Sequence, residues 1–330
     1  MTDLIITKNY TSANDFLKDI SYGGELYSQF TSNHVFRGHK SGTYELIPSA
    51  LRHRIQYLNQ DGSIYNEHNE NAEMLSDSEW EQRNVEYWKL RLFFEFCDYN
   101  NLKLPNVDRM REHLFSYKDF ASSKTALEDW IPYDLQELAA LAQHYGMETR
   151  LLDWSSSIET AIYFAIHQEP VLTEEDKQKD DSKYVVIWVL DPFVATKGSQ
   201  LRVIRPAYHG NPNLAAQKGL FTYWNEPGFL LSSNNITVDE YHTHLKRKVN
   251  RVPLNELLKV ELEKRKYDKT AMWKLMIPKE FKCELYDYIN RKHINAASLF
   301  PGYGGVVQCL KEKNEFDRMK MRRDFNSRAI

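Results

Sequence analysis

The spacing of apolar residues alternates between two periods along this chain. Near the start, His34-Val35-Phe36 is a short apolar strand running into Arg37-Gly38-His39. Tyr44-Glu45-Leu46-Ile47-Pro48 reads as a second extended piece, stopped by its proline. From about Ser49 to Trp130 the period becomes helical. Trp80, Trp88, Leu92, Phe96 and Tyr99 recur at helical intervals, which predicts an aromatic, core-facing stripe on a helix of roughly six turns. A shorter helix is expected over Val107 to Tyr117.

The middle of the chain is punctuated more sharply. Asp134 followed by Glu137 has capping-box spacing and opens a helix through Leu135, Leu138, Ala142 and Tyr145. Gly146 stands where a left-handed residue would end that helix. Thr149 to Trp154 reads as a short strand. Ser155, Ser156 and Ser157 offer three N-caps for the next helix, with Ser156 and Glu159 at capping-box spacing. Ile158, Ala161, Ile162 and Ala165 form its buried stripe, and Pro170 ends it. Residues 171–183 are a charged surface loop. Tyr184 to Leu190, YVVIWVL, is the best buried strand in the sequence and is closed by Asp191-Pro192. Further strands are predicted at Leu201 to Ile204, Leu220 to Trp224, Phe229 to Leu231 and Ala271 to Ile277, with a helix through Leu254, Leu257, Leu258 and Leu262. Two closing helices flank the loop from Leu299 to Gly305, and the basic run RMKMRRDFNSRAI reads as a solvated end.

Composition narrows the class of protein but not its chemistry. Hydrophobic residues make up 42% and charged ones 27%, as in soluble globular chains, while 13% aromatics exclude a disordered or collagen-like protein. Lys and Arg total 43 against 46 Asp and Glu, so the charge as a whole gives no reason to expect nucleic acid or an acidic membrane. Cys97, Cys283 and Cys309 lack disulfide or metal-ligand spacing and read as reduced, buried thiols. The opening MTDLIITKNYTSANDF has no basic start followed by an apolar run, and no stretch reaches the ~18 apolar residues that span a membrane. A cytoplasmic protein with no membrane partner is expected.

The common catalytic motifs are absent: no Walker loop, no GxGxxG after a strand, no HExxH and no GxSxG. His242-Thr243-His244 has no carboxylate at helical spacing and reads as surface, so no metal is expected. What remains is a set of polar residues at the ends of elements. Arg37 can present a planar fork to phosphate or carboxylate, with Gly38 letting the backbone turn at once. Alternatively, Arg37 pairs with a buried carboxylate and holds the strand end. His144 and Tyr145 precede Gly146, Arg150 and Asp153 bracket the next strand, and the serines open a helix whose N–H groups favour an anion. Together these side chains can line a pocket. In the competing reading Arg150 and Asp153 are a structural pair and the serines are caps only.

These residues also carry a resemblance. Phe36-Arg37-Gly38, then Leu46-Ile47-Pro48 and Arg52, resemble the opening of the FRG domain, named for its first motif. Gln143-His144-Tyr145-Gly146 through Thr149-Arg150-Leu151-Leu152-Asp153-Trp154 to Ala161-Ile162-Tyr163-Phe164-Ala165 resembles that family's central signature. Gln217 to Thr222 and Leu299 to Gly302 are similar to its later motifs. The order of parts, a strand ending in Arg, a strand leading into a serine-rich helix start and a late third motif, also looks like that of ADP-ribosyltransferases. That likeness implies NAD as a co-substrate. Arg37 would hold an NAD phosphate, Ser155 or Ser156 would orient the nicotinamide ribose, and Gln217 would stand in the place of a glutamate. Gly38, His144, Tyr145, Arg150, Asp153 and Trp154 complete the implied ligand-binding set. Glutamine bonds a hydroxyl but supplies no negative charge to an oxocarbenium-like transition state, which departs from the transferase pattern. The likeness implies an effector of toxin or phage-defence type that takes a small nucleotide ligand, and it names no protein or nucleic-acid target. The rival reading is a non-catalytic nucleotide- or ligand-binding or interaction module with the same pocket.

The expected fold is α+β: a small central mixed or antiparallel sheet flanked by helices, ADP-ribosyltransferase-like, with a helical insertion at about residues 53–130. At ~150 residues per domain the length allows two domains. Motifs running from 34 to 305 argue instead for one domain over 1–330, with a basic tail from about 314.

Overall fold

The computed structural model describes residues 3–53, 77–112, 128–167, 182–228 and 247–328. Among the described residues seven strands form one mixed sheet: β1 (Ile5–Asn9), β2 (Val35–His39), β3 (Leu152–Ser155), β4 (Tyr184–Leu190), β5 (Leu201–Ile204), β6 (Gly219–Trp224) and β7 (Met272–Pro278). Their order is β1-β7-β4-β2-β3-β6-β5, with β1 and β7 parallel and the other neighbours antiparallel. The described helices are α1 (Ala13–Asp19), α2 (Glu25–Gln29), α3 (Glu79–Tyr99), α4 (Asp108–Glu112), α5 (Gln136–His144), α6 (Ile158–Ile166), α7 (Pro192–Lys197), α8 (Pro212–Ala216), α9 (Leu254–Lys264), α10 (Lys282–Arg291), α11 (Ala296–Leu299) and α12 (Tyr303–Arg328). None is long and apolar enough to cross a membrane. The fold is therefore mixed α+β, with a larger sheet than the small one expected.

The run YVVIWVL is continuous because β4 is covered on both faces, so it shows no polar alternation. Val185, Ile187 and Val189 pack with Phe36, Ile162, Trp273 and Leu299 on one face. Val186, Trp188 and Leu190 pack with Val35, Leu46, Trp154 and Leu258 on the other. A third cluster joins Tyr87, Phe94 and Leu138 of α3 and α5 to Phe221 and Tyr223 of β6.

The sheet is interrupted at its middle. β2 pairs with β4 over five residues, from Val35 opposite Leu190 to His39 opposite Val186. It meets β3 at a single pair, Phe36 opposite Ser155. Beyond that point β2 and β3 part.

Several expectations are corrected. Tyr44 to Pro48 is irregular, because the Leu46 carbonyl accepts from Leu254 N–H at 3.0 Å and starts α9 in place of a ladder. On α3 the predicted stripe lies outside: Leu92, Phe96 and Tyr99 are exposed, the last by 86%, while Trp80 and Trp88 are half-buried. The inward face carries Glu79, Gln82, Arg83, Glu86, Tyr87, Leu90 and Phe94. Asp134 caps nothing, since its carboxylate takes a hydrogen bond from Arg109 Nε at 2.9 Å. Ser157, and not Ser156, caps α6. Gly146 does have the left-handed conformation, with φ +91°, and ends α5 as expected. The basic tail continues α12 and docks on α10: Phe316 stacks on Tyr286 at 4.0 Å, and Lys320 bonds Asp287 at 2.6 Å. Phe229 to Leu231, His242, His244, the loop from 171 to 181 and much of the predicted insertion lie outside the described residues.

Candidate functional site

Three hydrogen bonds fix Arg37 where the strands part. Its Nη1 donates to the Asp153 carbonyl at 2.7 Å and to Asp153 Oδ2 at 3.3 Å, supplying across the gap what a ladder bond would have given. Its Nε donates to His39 Nε2 at 3.0 Å. A guanidinium only donates, so His39 Nε2 accepts and Nδ1 carries the hydrogen, facing the Tyr44 carbonyl at 3.2 Å. Burial first, and then the Arg37 charge, hold the His39 pKa well below the ordinary imidazole value. A neutral ring thus props the cation.

Gly38 belongs inside β2, and its role is not a turn. A Cβ there would lie 2.0 Å from the Ala161 carbonyl oxygen and 2.6 Å from Ala165 N. The missing side chain lets α6 press against the strand.

A cleft of about 880 Å³ opens at this parting. Arg37, Gly38, His39, Tyr44 and Arg52 line it together with His144, Asp153, Trp154 and Ser155. Phe164, Leu214, Gln217, Phe221 and Phe300 close the rest. Arg37, Lys40 and Arg52 bring positive charge, against Glu45 and Asp153. The Arg52 pKa is lowered by burial and then by the neighbouring Arg37 charge. Burial likewise lowers that of His144, although Asp153 works against it.

The carboxylate of Asp153 is held from two sides, by Arg37 and by Gln143 Nε2 at 3.0 Å. Ser155 Oγ donates to the Gln217 carbonyl at 2.7 Å and accepts from Ser157 N–H at 3.0 Å. The Gln217 amide donates to Leu299 O at 3.2 Å, which fastens the segment carrying Phe300. Arg37, Ser155 and Gln217 therefore share one cleft with Gly38, His144, Asp153 and Trp154.

Three predicted residues are not among its lining. Tyr145 is 60% exposed and turns its ring edge to His144. Ser156 is exposed, and its N–H is used on Lys218 O at 3.1 Å. Arg150 is buried and donates to Glu86 at 2.7 and 2.9 Å and to Glu79 at 3.0 Å. Burial opposes its charge, but these carboxylates prevail and raise its pKa. Arg150 and Asp153 are thus not a pair: each has found another partner. The anion expectation at the start of α6 also fails in part, because Ser155 and Ser157 hydroxyls already take the N–H groups of Ser157 and Thr160.

Sequence reasoning overlooked His39, and it read Gln143 and Arg52 only as parts of motifs. A strand running to His39 would have revealed the first, since a period of two puts Arg37 and His39 on the same face. The role of Gln143 is found only through the fold, which carries the end of α5 to Asp153.

Comparison with known families agrees with the opening motif. The family model for the FRG domain matches residues 32–174. The chain carries an FRG domain. Searches of curated proteins and of solved structures return no match. The FRG match covers Arg37, His39, Arg52, His144, Asp153 and Ser155. Gln217 and Phe300 lie beyond it and complete the same cleft.

Proposed function

We propose that the FRG-domain cleft binds NAD and turns it over in the manner of an ADP-ribosyltransferase or NAD glycohydrolase. One observation carries the reading: Arg37 lines the cleft and is fixed through Nε and Nη1, while among the described residues its Nη2 makes no hydrogen bond. A guanidinium held in one orientation with one terminal nitrogen unused suits a phosphate oxygen, because its donor is in place before the ligand arrives. The aromatic side chains of Tyr44, Phe164 and Phe300 offer flat apolar surface for a nucleotide ring. Ser155 and Gln217, which line the same cleft, would turn the ribose. Cleavage breaks the bond between ribose C1 and the nicotinamide nitrogen, whose electrons leave with nicotinamide. Water or a target nucleophile then takes the ribosyl carbon. As an effector of toxin or phage-defence type, the protein would act by consuming NAD or by modifying a target.

A second reading, a module that binds nucleotide without turnover, is favoured by the state of the polar groups. Gln217 spends its amide on Leu299 O, Asp153 is engaged by Arg37 and Gln143, and Glu45 is exposed. None of these places an uncommitted buried carboxylate beside the ribose, where negative charge would stabilise the transition state. Incubating the purified protein with NAD and following nicotinamide by chromatography separates the two. Release that Arg37→Ala abolishes supports the enzyme; NAD that binds and stays intact supports the module.

A further inference from the structure

Arg37 is not the only guanidinium with unused donors in this cleft. Arg52 is anchored through Nε to the Ile47 carbonyl at 3.1 Å, and among the described residues its Nη1 and Nη2 make no hydrogen bond. Arg37 is held through Nε and Nη1 and keeps Nη2 unused, Arg52 is held through Nε alone, and both line the same cleft. Both are close enough for their charges to act on one another, and the Asp153 carboxylate is felt by both. One carboxylate between two guanidiniums leaves a net positive charge. His39 adds none, because it is neutral.

We infer that Arg37 and Arg52 form a paired-guanidinium subsite for a diphosphate, so that the cleft selects nucleotides carrying a pyrophosphate link over monophosphates. The inference rests on the nucleotide reading above and goes further, assigning a role to Arg52 and a class to the ligand. A single phosphate neutralises one guanidinium and leaves the other cation unmatched. Two linked phosphates engage the fork of Arg52 and the remaining Nη2 of Arg37 together and offset the repulsion between them. Lysine cannot replace arginine here, since a point charge does not reproduce two parallel N–H donors.

The test is calorimetric titration of the full chain with ADP, AMP, inorganic pyrophosphate and orthophosphate. The wild type binds ADP at least about tenfold tighter than AMP, and pyrophosphate about tenfold tighter than orthophosphate, the worth of one charge-assisted contact. Arg52→Ala and Arg52→Lys each bring both ratios close to one, with a thermal melt run beside each titration to show that the variant is folded. Equal affinities for mono- and diphosphates in the wild type, or ratios that Arg52→Ala leaves intact, overturn the subsite. The two proposals fail differently. Diphosphate preference without NAD binding leaves the subsite standing and removes the NAD reading, whereas NAD binding that is indifferent to Arg52 does the reverse.

Discussion

Arg37 donates from Nη1 to the main-chain carbonyl of Asp153 at 2.7 Å, and this bond joins β2 to β3 where their ladder stops. The same side chain both closes a gap in the sheet and exposes a cation to the cleft. Arg37→Lys keeps the charge but loses the Nε bond to His39 and the reach of the fork. NAD binding then weakens by roughly ten- to a hundredfold, as expected for one or two charge-assisted hydrogen bonds. Titration beside a urea melt checks this, and a melt that collapses completely would make Arg37 a structural residue only.

Gly38→Ala is expected to destabilise the fold by about 3 kcal/mol, because the new methyl group meets the Ala161 carbonyl and α6 must move. Denaturant unfolding measures it. A cost near zero would mean that α6 does not press on β2 as described.

The buried charges of α3 make a separate prediction. Removing Arg150 with Arg150→Met leaves Glu79 and Glu86 without their main cation, at a cost of about 3–5 kcal/mol. Binding of NAD by the molecules that remain folded is unchanged, since Arg150 does not line the cleft. A loss of affinity without a loss of stability contradicts this placement.

These charges also show where the sequence could be read and where it could not. YVVIWVL announces β4 because both sides of the strand are covered, and the predicted ends coincide with the observed ones. Arg37, Asp153 and Ser155 stand out as polar residues at element ends, and the fold does gather them. On α3, periodicity points the wrong way, because Leu92, Phe96 and Tyr99 face outward while a glutamate–arginine network lies inward beside Tyr87 and Phe94 to meet Arg150. No rule based on apolar spacing anticipates that the partner of Glu86 lies 64 residues away. The link from Ser155 to Gln217 spans 62 residues and is equally invisible before the sheet is assembled. Gly38 is conspicuous as a residue type, but its reason, the approach of α6, is a tertiary one.

His39 makes stability fall in acid. In the folded chain it stays neutral, whereas the unfolded chain protonates it below about pH 6.5. Its contribution is therefore complete above that pH and is lost on acidification, at up to about 1.4 kcal/mol per pH unit, until the folded-state pKa is reached. His34 and His144 are shifted in the same direction. Stability measured from pH 7.5 to 5 should fall in the wild type and fall less steeply in His39→Gln. Parallel curves would show that His39 is charged in the fold.

The central claim is that the parting of β2 and β3 is a nucleotide site built on Arg37. The most direct measurement is an experimental structure of the chain crystallised with NAD. The account predicts phosphate oxygens at hydrogen-bond distance from Arg37 Nη2, with the ligand lying between Tyr44, Ser155 and Phe300. NAD bound elsewhere, or an empty cleft at ligand concentrations that saturate nucleotide-binding proteins, would contradict it.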